Sequence, residues 1–419
     1  MTSSCYLCPM QKDAATVHVA LPAMNERYYI EETLRCLQKQ NLQDFHTWVC
    51  VNQPESFWNN PEKCHICENN ALTLELLKEY RLKNLHILDY SSPGRGWQEG
   101  KLGVGMARKT LKDLIMGEAA EHDIIVSMDA DTVFGENYLT SITALFKNNP
   151  NAVGLANPYY HPMVEDELLN RAILRYEIYM RYYALNMRFI GTPYCYSPLG
   201  SAMAAPVKAI KKIGGLTPKK SGEDFYFLQK LTKSGKLLRY NTEVVYPGTR
   251  ASDRVFFGTG PAVIKGLAGQ WHAYPLFNPE LFDDVRKTIE LFPRQFEGPH
   301  PTPMDDFLKD HLRCNDIYAP LRKNHNNLNR FVNACHEKID GLRILQFLKT
   351  SHNKNPKHDE ENLRQFLTRY FPGNEIDDIL AGLDFSISDV EVINKIRNFL
   401  FETELELQKN DAKEQKKRI

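Results

Sequence analysis

The segment Ile124-Ile125-Val126-Ser127-Met128-Asp129-Ala130-Asp131 carries the strongest signal in this sequence. Its apolar part predicts a short buried strand, and residues i and i+2 of an extended chain point to the same side. Asp129 and Asp131 are therefore expected to face one spot at the carboxyl end of the strand, where open α/β sheets bind ligands. Two convergent carboxylates suit a hard divalent cation that also holds phosphate oxygens. The competing interpretation is a solvated turn or a helix cap.

Segments typical of strands alternate with segments typical of helices on both sides of this one. The predicted strands are 17–21, 46–51, 85–89, 124–128 and 152–156. The predicted helices are 28–40, with Asn25 as N-cap, 69–81, 102–117, 137–147 and the aromatic-rich 165–190. Such alternation with short connections predicts an α/β fold, with a Rossmann-like, mostly parallel sheet flanked by helices. From about residue 275 the sequence is mainly helical, including 328–349 and 389–407.

Composition excludes some classes of function. The 419 residues include 52 Lys or Arg and 52 Asp or Glu, a formal net charge of zero. A nucleic-acid-binding chain would show a basic excess, so no nucleic-acid partner is expected. No apolar stretch is long enough to span a bilayer, and the first residues lack a secretory signal, so a cytoplasmic location is expected. Contact with a membrane surface stays open.

Four of the nine cysteines form two C-x-x-C pairs, Cys5/Cys8 and Cys64/Cys67. This spacing is typical of a structural zinc site, which would tie down the N-terminal segment 1–15. The alternative is four ordinary reduced thiols, as a cytoplasmic chain would keep them.

Several segments, in order, resemble the GT-A-fold glycosyltransferases of family 2. They are Val19-Ala20-Leu21-Pro22-Ala23-Met24-Asn25-Glu26, Glu31-Glu32-Thr33-Leu34, Asp129-Ala130-Asp131, and Gly214-Gly215-Leu216 followed by Gly222-Glu223-Asp224. The resemblance covers about residues 16 to 275 and implies a nucleotide-sugar-dependent, inverting transferase. Together with the proline-rich stretch 297–303 and the charged end of the sequence, it predicts four parts: the segment 1–15, a GT-A domain 16–297, a helical region 298–407 and a disordered tail 408–419.

For the sugar donor, the resemblance implies a metal ion, manganese or magnesium, bound by Asp131. Asp129 would contact the ribose or a metal-bound water. The residues expected to line the nucleoside pocket are Pro22, Ala23, Asn25, Glu26 and Asn52. Members of the family commonly have an acid where this chain has Asn52. Its amide can still hydrogen-bond a base edge, but the departure leaves the identity of the base open.

Positive charges around the donor are also implied. Lys101 and Arg108 flank a glycine-rich helix start, Arg254 lies in a loop that would close over the diphosphate, and His272 is a candidate third metal ligand. A solvated cation is the alternative interpretation for Arg108, and a structural role is the alternative for His272.

Glu223-Asp224 is the second acidic site, and the resemblance implies that Asp224 is the catalytic base. Inverting transfer needs a carboxylate that takes the proton of the acceptor hydroxyl. Ser221-x-x-Asp224 also has the pattern of a capping box at a helix start, and the two roles are compatible.

The sequence therefore predicts a metal-dependent transferase of a hexose or pentose to a carbohydrate or lipid-linked acceptor, as in the biosynthesis of cell-surface polysaccharides. Three alternatives stay open: a sugar nucleotidyltransferase, a retaining transferase on a similar fold, and a degenerate scaffold that binds a partner. The loops 157–161 and 194–198 are candidates for the acceptor pocket. Sugar, acceptor and oligomeric state are not fixed by the sequence.

Overall fold

The computed structural model describes residues 15–98, 103–220, 222–251 and 259–417, with the backbone alone for 272 and 415–417. Within these ranges, nine strands form two sheets. They are β1 (Val17–Ala23), β2 (Phe45–Asn52), β3 (Leu85–Tyr90), β4 (Ile124–Ser127), β5 (Thr132–Phe134), β6 (Ala152–Ala156), β7 (Met203–Pro206), β8 (Lys236–Leu238) and β9 (Val245–Pro247).

The main sheet has seven strands in the order β3-β2-β1-β4-β7-β6-β8, and only β7 runs against the rest. All seven residues of β1 are buried, as expected for a central parallel strand that is covered on both faces. The predicted fold class, a mostly parallel sheet flanked by helices with a helical C-terminal region, is confirmed. The small sheet pairs β5 antiparallel with β9.

Eight helices accompany the sheets in the first part of the described chain. They are α1 (Ile30–Gln38), α2 (Cys64–Glu79), α3 (Val104–Glu118), α4 (Tyr138–Asn148), α5 (Glu167–Phe189), α6 (Val207–Lys212), α7 (Glu223–Ser234) and α8 (Thr259–Leu267). The prediction that Asn25 caps α1 is wrong. Asn25 has a left-handed backbone with φ 61°, and its N–H donates to Asn70 Oδ1 at 2.8 Å, so it forms a turn four residues before the true cap, Tyr29.

The C-terminal part contains nine described helices. They are α9 (Pro279–Glu290), α10 (Phe292–Gln295), α11 (Asp305–Leu312), α12 (Ala319–Asn324), α13 (Leu328–Lys338), α14 (Gly341–Lys354), α15 (Asp359–Tyr370), α16 (Asp377–Leu380) and α17 (Val390–Lys417). The segment predicted as one helix, 328–349, is two, because Asp340 caps α14 by accepting from the Arg343 N–H at 3.1 Å.

The prediction of a disordered tail from residue 408 is also wrong, since α17 continues to Lys417. Asp411 accepts from Arg188 at 2.6 Å and from Arg239 at 3.3 Å, and these contacts hold the last turns against the body of the protein. The charged composition of this segment predicted a solvated end. Its arginine partners lie more than 170 residues away in sequence, so no local pattern could reveal these contacts.

The apolar core connects the sheet to the C-terminal helices. One continuous cluster runs from Ala20 and Trp48 on the sheet through Tyr182 of α5 to Phe366 and Leu400. A second cluster, which includes Leu21 and Val126, fills the other face of the sheet. The predicted domain boundaries remain predictions. Among the described residues, no helix combines the length and the apolar character needed to cross a bilayer.

Candidate active site

The acidic residues identified from the sequence meet at the carboxyl edge of the sheet. Asp129 and Asp131 follow β4, and Glu26 follows β1, the neighbouring parallel strand. The backbone of the aspartate pair is fixed from α1, where the buried Thr33 hydroxyl lies 3.0 Å from the carbonyl oxygens of both Ala130 and Thr132. The edge predicted as the ligand site is thus where these carboxylates converge.

Arg108 links the two acidic sites. Arg108 is only 3% exposed. Its guanidinium lies 2.5 Å from Asp129 Oδ1 and 3.0 Å from Glu223 Oε1, and it donates to the Gly200 carbonyl at 2.7 Å. A Cβ atom at Gly200 would lie 2.1 Å from Arg108 Nη2, so only glycine leaves room for this side chain. Arg108 is therefore a paired, buried cation rather than a solvated one.

Asp224 is the second residue of α7, and Arg108 is near enough to act on its charge. Burial, with the neighbouring Glu223 as the next cause, raises the pKa of Asp224 to about 7, although Arg108 and the Phe225 N–H oppose the rise. The Phe225 N–H donates to Asp224 Oδ1 at 2.7 Å. The N-cap of α7 is Gly222, and Ser221, on which the capping-box interpretation depends, lies outside the described residues. Asp224 thus has the raised basicity that a proton acceptor needs.

Asp131 and Glu26 share one partner, Arg250. Arg250 Nε donates to Asp131 Oδ2 at 2.7 Å, and Nη2 donates to both Glu26 oxygens at 2.6 and 2.7 Å. Two carboxylates that converge on one cation also fit a divalent metal, because magnesium and manganese sites often use one or two carboxylates plus substrate phosphates. No group of three or more His, Cys, Asp or Glu side chains in the described residues could enclose a metal. Phosphate and water would have to complete the shell.

The expected nucleoside residues lie at the ends of the first two strands. Pro22 and Ala23 close β1, and Asn52 closes β2 as a buried residue. Asn70 of α2 connects the turn after β1 to the end of β2. It accepts from the Asn25 N–H and donates to the Asn52 carbonyl at 3.3 Å. The structure therefore brings these positions together on the same edge as Asp129.

Other sequence-predicted residues lie outside the described structure. Lys101, Arg254, Ser221, Cys5 and Cys8 are among them, and of His272 only the backbone, in a short turn 271–273, is described. Cys64 and Cys67 both lie on the first turn of α2, and Cys67 Sγ accepts from Gln53 Nε2 at 3.0 Å. Nothing in the described residues supports the zinc site.

Sequence reasoning missed three residues that shape the site. Gly200 makes room for Arg108, Arg250 binds Asp131, and Lys112 donates to Ser127 Oγ at 2.6 Å beneath the aspartates. Burial lowers the pKa of Lys112 to about 7, with Arg108 adding to the effect. Lys112 is four residues after Arg108 on a predicted helix, and this spacing was the one available signal.

The two candidate acceptor loops lie side by side. Asn157 and Tyr159 from one loop and Tyr196 and Ser197 from the other line a small cavity, which Phe401 and Glu404 of α17 help to close. Its volume of about 10 Å³ is room for one water molecule. In this conformation the two loops pack closely and leave no space between them for a sugar. Their role in acceptor binding stays a prediction.

Residues 124–280, from the start of β4 into α9, match the family model described as glycosyl transferase family group 2. The matched segment contains both acidic sites and covers less than half of the chain. Its similarity supports glycosyl transfer as the chemistry of the site. The comparison with curated proteins gives no match.

Solved structures of glycosyltransferases are also similar at low identity. S. aureus TarS 1–349 in complex with UDP-GlcNAc is 15% identical, with 77% of this chain and 91% of that chain covered and a TM-score of 0.40. The mannosyltransferase PcManGT from Pyrobaculum calidifontis, in complex with GDP-Man and Mn²⁺, is 14% identical, with 92% and 88% covered and a TM-score of 0.36. Glucosyl-3-phosphoglycerate synthase from Mycobacterium tuberculosis in complex with UDP is 15% identical, with 62% and 82% covered and a TM-score of 0.34. At these TM-scores none of the three contributes to the functional argument.

Proposed function

We propose that this chain is a metal-dependent glycosyltransferase that moves a sugar from a nucleoside-diphosphate sugar to an acceptor hydroxyl, with inversion at the anomeric carbon. The observation that carries the proposal is that the buried Arg108 contacts both acidic sites, through Asp129 of the first and Glu223 of the second. Asp129 and Asp131 lie on the side of β4, and Glu223 and Asp224 begin α7. The family match over 124–280 supports it.

The first acidic site serves the leaving group. A bound Mn²⁺ or Mg²⁺ would neutralise the charge that develops on the departing diphosphate. Asp131, together with Glu26, would hold that ion, because both carboxylates already converge on one cationic group. Asp129, kept in place by Arg108, would contact the donor ribose or a metal-bound water. Pro22, Ala23, Asn25 and Asn52 would line the nucleoside pocket, while Lys101, Arg254 and His272 stay candidate donor or metal contacts.

The second acidic site serves the nucleophile. Asp224 takes the proton of the acceptor hydroxyl while that oxygen forms a bond to the anomeric carbon. The bond from this carbon to the phosphate oxygen breaks, and its electron pair leaves with the diphosphate. A carboxylate with a pKa of about 7 is a stronger base than an ordinary one and is still half ionised at neutral pH. Glu223, which pairs with Arg108, would position Asp224 and keep its pKa high.

The test is a screen of nucleoside-diphosphate sugars for nucleotide release, with Mn²⁺, with Mg²⁺ and with a chelator. Candidate carbohydrate and lipid-linked acceptors are added to each donor, and the anomeric configuration of the product is read by NMR. We expect one donor to release nucleoside diphosphate only with metal, and the product to be inverted. Asp224→Asn should still bind that donor but lose transfer.

The same screen separates the alternatives. A sugar nucleotidyltransferase would consume a nucleoside triphosphate and release pyrophosphate, and a retaining transferase would keep the configuration of the donor. A scaffold would bind no donor at all. Near-normal transfer by Asp224→Asn would show that another group is the base.

A further inference from the structure

Arg250 occupies the position that the proposed function assigns to a metal ion. Its guanidinium bonds Asp131 Oδ2 and both oxygens of Glu26, at 2.6 to 2.7 Å. The guanidinium carbon Cζ lies over the Tyr29 ring, 4.1 Å from the ring centroid. One arginine therefore uses the carboxylate oxygens through which Asp131 and Glu26 would bind a cation.

The fold brings Arg250 to this place. The pairing of β5 with β9 sets Thr132 opposite Pro247, so the chain that leaves β9 passes directly beside Asp131. A Cβ at Gly248 would lie 3.2 Å from atoms of Asp131, which shows how close the two backbones come. From there the long side chain of Arg250 reaches across Asp131 to Glu26 at the end of β1.

Electrostatic repulsion prevents Arg250 and a metal ion from binding these carboxylates at the same time. Two carboxylates around one guanidinium leave a net charge of −1, and the Glu26 side chain is only 5% exposed. A divalent cation on the same oxygens would balance the two carboxylates fully, but a guanidinium kept in place would then add a repelling positive charge within a few ångströms. The contact of Arg250 with the carboxylates is therefore stable only without the metal ion, and metal binding is stable only once Arg250 has moved away.

We propose that Arg250 is an internal counter-ion of the metal site, which holds Asp131 and Glu26 together in the ligand-free protein and is displaced when the metal binds. This inference rests on the proposed function and deepens it. It implies that the free protein binds metal weakly, because the metal must first break three charge-assisted hydrogen bonds. It also implies that a diphosphate promotes metal binding, since its negative charge offers the released guanidinium a new partner.

The test measures Mn²⁺ binding to the full chain by the EPR signal of free Mn²⁺, without any donor. Arg250→Met should bind Mn²⁺ at least about tenfold more tightly than the wild type, because the competitor is gone. Arg27→Met is the matched control: it removes an equal charge next to Glu26, but Arg27 pairs with Glu31 at 3.7 Å. Arg27→Met should change the affinity for Mn²⁺ by no more than about twofold. The double variant Arg250→Met/Asp131→Asn should lose the gain.

Equal or weaker Mn²⁺ binding by Arg250→Met, or no binding by either protein, would overturn the inference. A gain of the same size in Arg27→Met would also overturn it, because it would reduce the effect to general electrostatics. Circular dichroism checks that each variant is folded. The proposed function is judged separately by nucleotide release from the wild type: metal-dependent release without a gain in Arg250→Met leaves the function standing and removes the counter-ion role.

Discussion

The Arg108 guanidinium contacts an acid from each part of the candidate site, and its burial makes those contacts mutually dependent. Removing one partner of a buried ion pair leaves an uncompensated charge, which is costly. Asp129, Glu223 and the Gly200 carbonyl surround this side chain from three separate segments of the chain. A change at Gly200 should therefore disturb both acidic sites without altering any charged residue.

Gly200→Ala should lower the free energy of unfolding by about 2 to 4 kcal/mol and weaken donor binding, because the new methyl group would displace Arg108. Chemical denaturation with urea measures the first effect and calorimetric titration of the donor the second. Gly117→Ala is the control. Gly117 lies in α3, a Cβ there meets nothing within 4 Å, and alanine in a helix should be neutral or stabilising by up to about 1 kcal/mol. Equal stability of the two variants would contradict the packing argument.

The raised pKa of Asp224 predicts how transfer depends on pH. A base must be ionised to accept a proton, so kcat/KM should fall about tenfold per pH unit below a midpoint near pH 7, and level off above it. Glu223→Gln should move the midpoint to lower pH, since the Glu223 carboxylate is, after burial, the largest cause of the rise. A pH–rate profile that is flat from pH 5.5 to 8, or a midpoint unmoved by Glu223→Gln, would count against Asp224 as the base.

Sequence spacing located some of these residues and could not locate others. Asp129 and Asp131 follow an apolar run, and their convergence follows from the geometry of a strand end. In the loop after β9, the sequence favoured Arg254 and gave no signal for Arg250. What brings Arg250 to Asp131 is the pairing of β5 with β9, two strands of three residues each. Strands that short carry no periodic pattern, so the contact depends on tertiary structure alone.

At the scale of elements, five of the nine described strands were predicted, while the four remaining short strands and the ends of several helices were not. Continuous apolar runs such as 17–21 predicted buried parallel strands, and β1 is buried throughout. Helix ends depend on which groups satisfy the backbone. Asn25 looked like a cap, but Asn70 of α2 captures its N–H and turns the chain first. That contact joins residues 45 apart, which no local pattern reports.

The amino-terminal ends of three neighbouring strands carry a histidine cluster, formed by His18, His46 and His86. The rings of His18 and His46 stack at 5.1 Å, those of His46 and His86 at 5.2 Å, and His46 Nδ1 lies 2.9 Å from His86 Nε2. Burial, followed by the neighbouring His46, lowers the pKa of both His18 and His86; for His18, Asp123 opposes the change. The folded protein therefore favours the neutral forms of His18 and His86.

This cluster should make the sheet sensitive to acid. The unfolded chain binds more protons than the folded one below the ordinary histidine pKa of about 6.5. The stabilising effect is fully present above that pH and is lost as the pH falls through the lower pKa of the folded state. His86→Phe keeps a ring stacked on Trp48 and removes one titrating group, so its loss of stability between pH 7 and pH 5 should be smaller than that of the wild type. Urea denaturation at both pH values measures this loss.

The control for the cluster is His65→Gln. His65 is exposed on α2, so this change should leave the pH dependence as it is in the wild type. If His86→Phe and His65→Gln lose the same stability on acidification, other groups cause the acid sensitivity.

At the scale of the whole molecule, the C-terminal helices are bound to the sheet by charge as well as by the shared apolar core. Glu177 of α5 is fully buried and contacts Arg181 at 2.6 Å, His161 at 2.9 Å and Arg397 of α17 at 3.3 Å. Burial alone would raise the pKa of Glu177, but Arg181, the hydrogen bond with His161 and Arg397 hold it well below its usual range. Arg397 also donates to the His161 carbonyl at 2.9 Å, so α17 completes a network that starts beside β6.

We therefore expect the sheet and the C-terminal helices to unfold together, and tryptophan fluorescence can test this. All four tryptophans, Trp48, Trp58, Trp97 and Trp271, precede residue 275, so fluorescence reports on the part with the sheet, while far-ultraviolet circular dichroism is sensitive to the helices throughout. Arg397→Met should lower the free energy of unfolding by about 3 kcal/mol, because it removes one partner of a buried ion pair. Both signals should shift to lower urea concentration by the same amount.

The matched control is Lys395→Met, a change of similar chemistry two residues away on the exposed side of α17. It should leave both transitions within about 0.5 kcal/mol of the wild type. If Arg397→Met shifted circular dichroism and left fluorescence unchanged, the helical region would be an independent domain, and the network around Glu177 would be a contact between two separately stable units. A common shift would instead mean that the aspartates at the sheet edge depend for their stability on a helix that begins more than 250 residues after them.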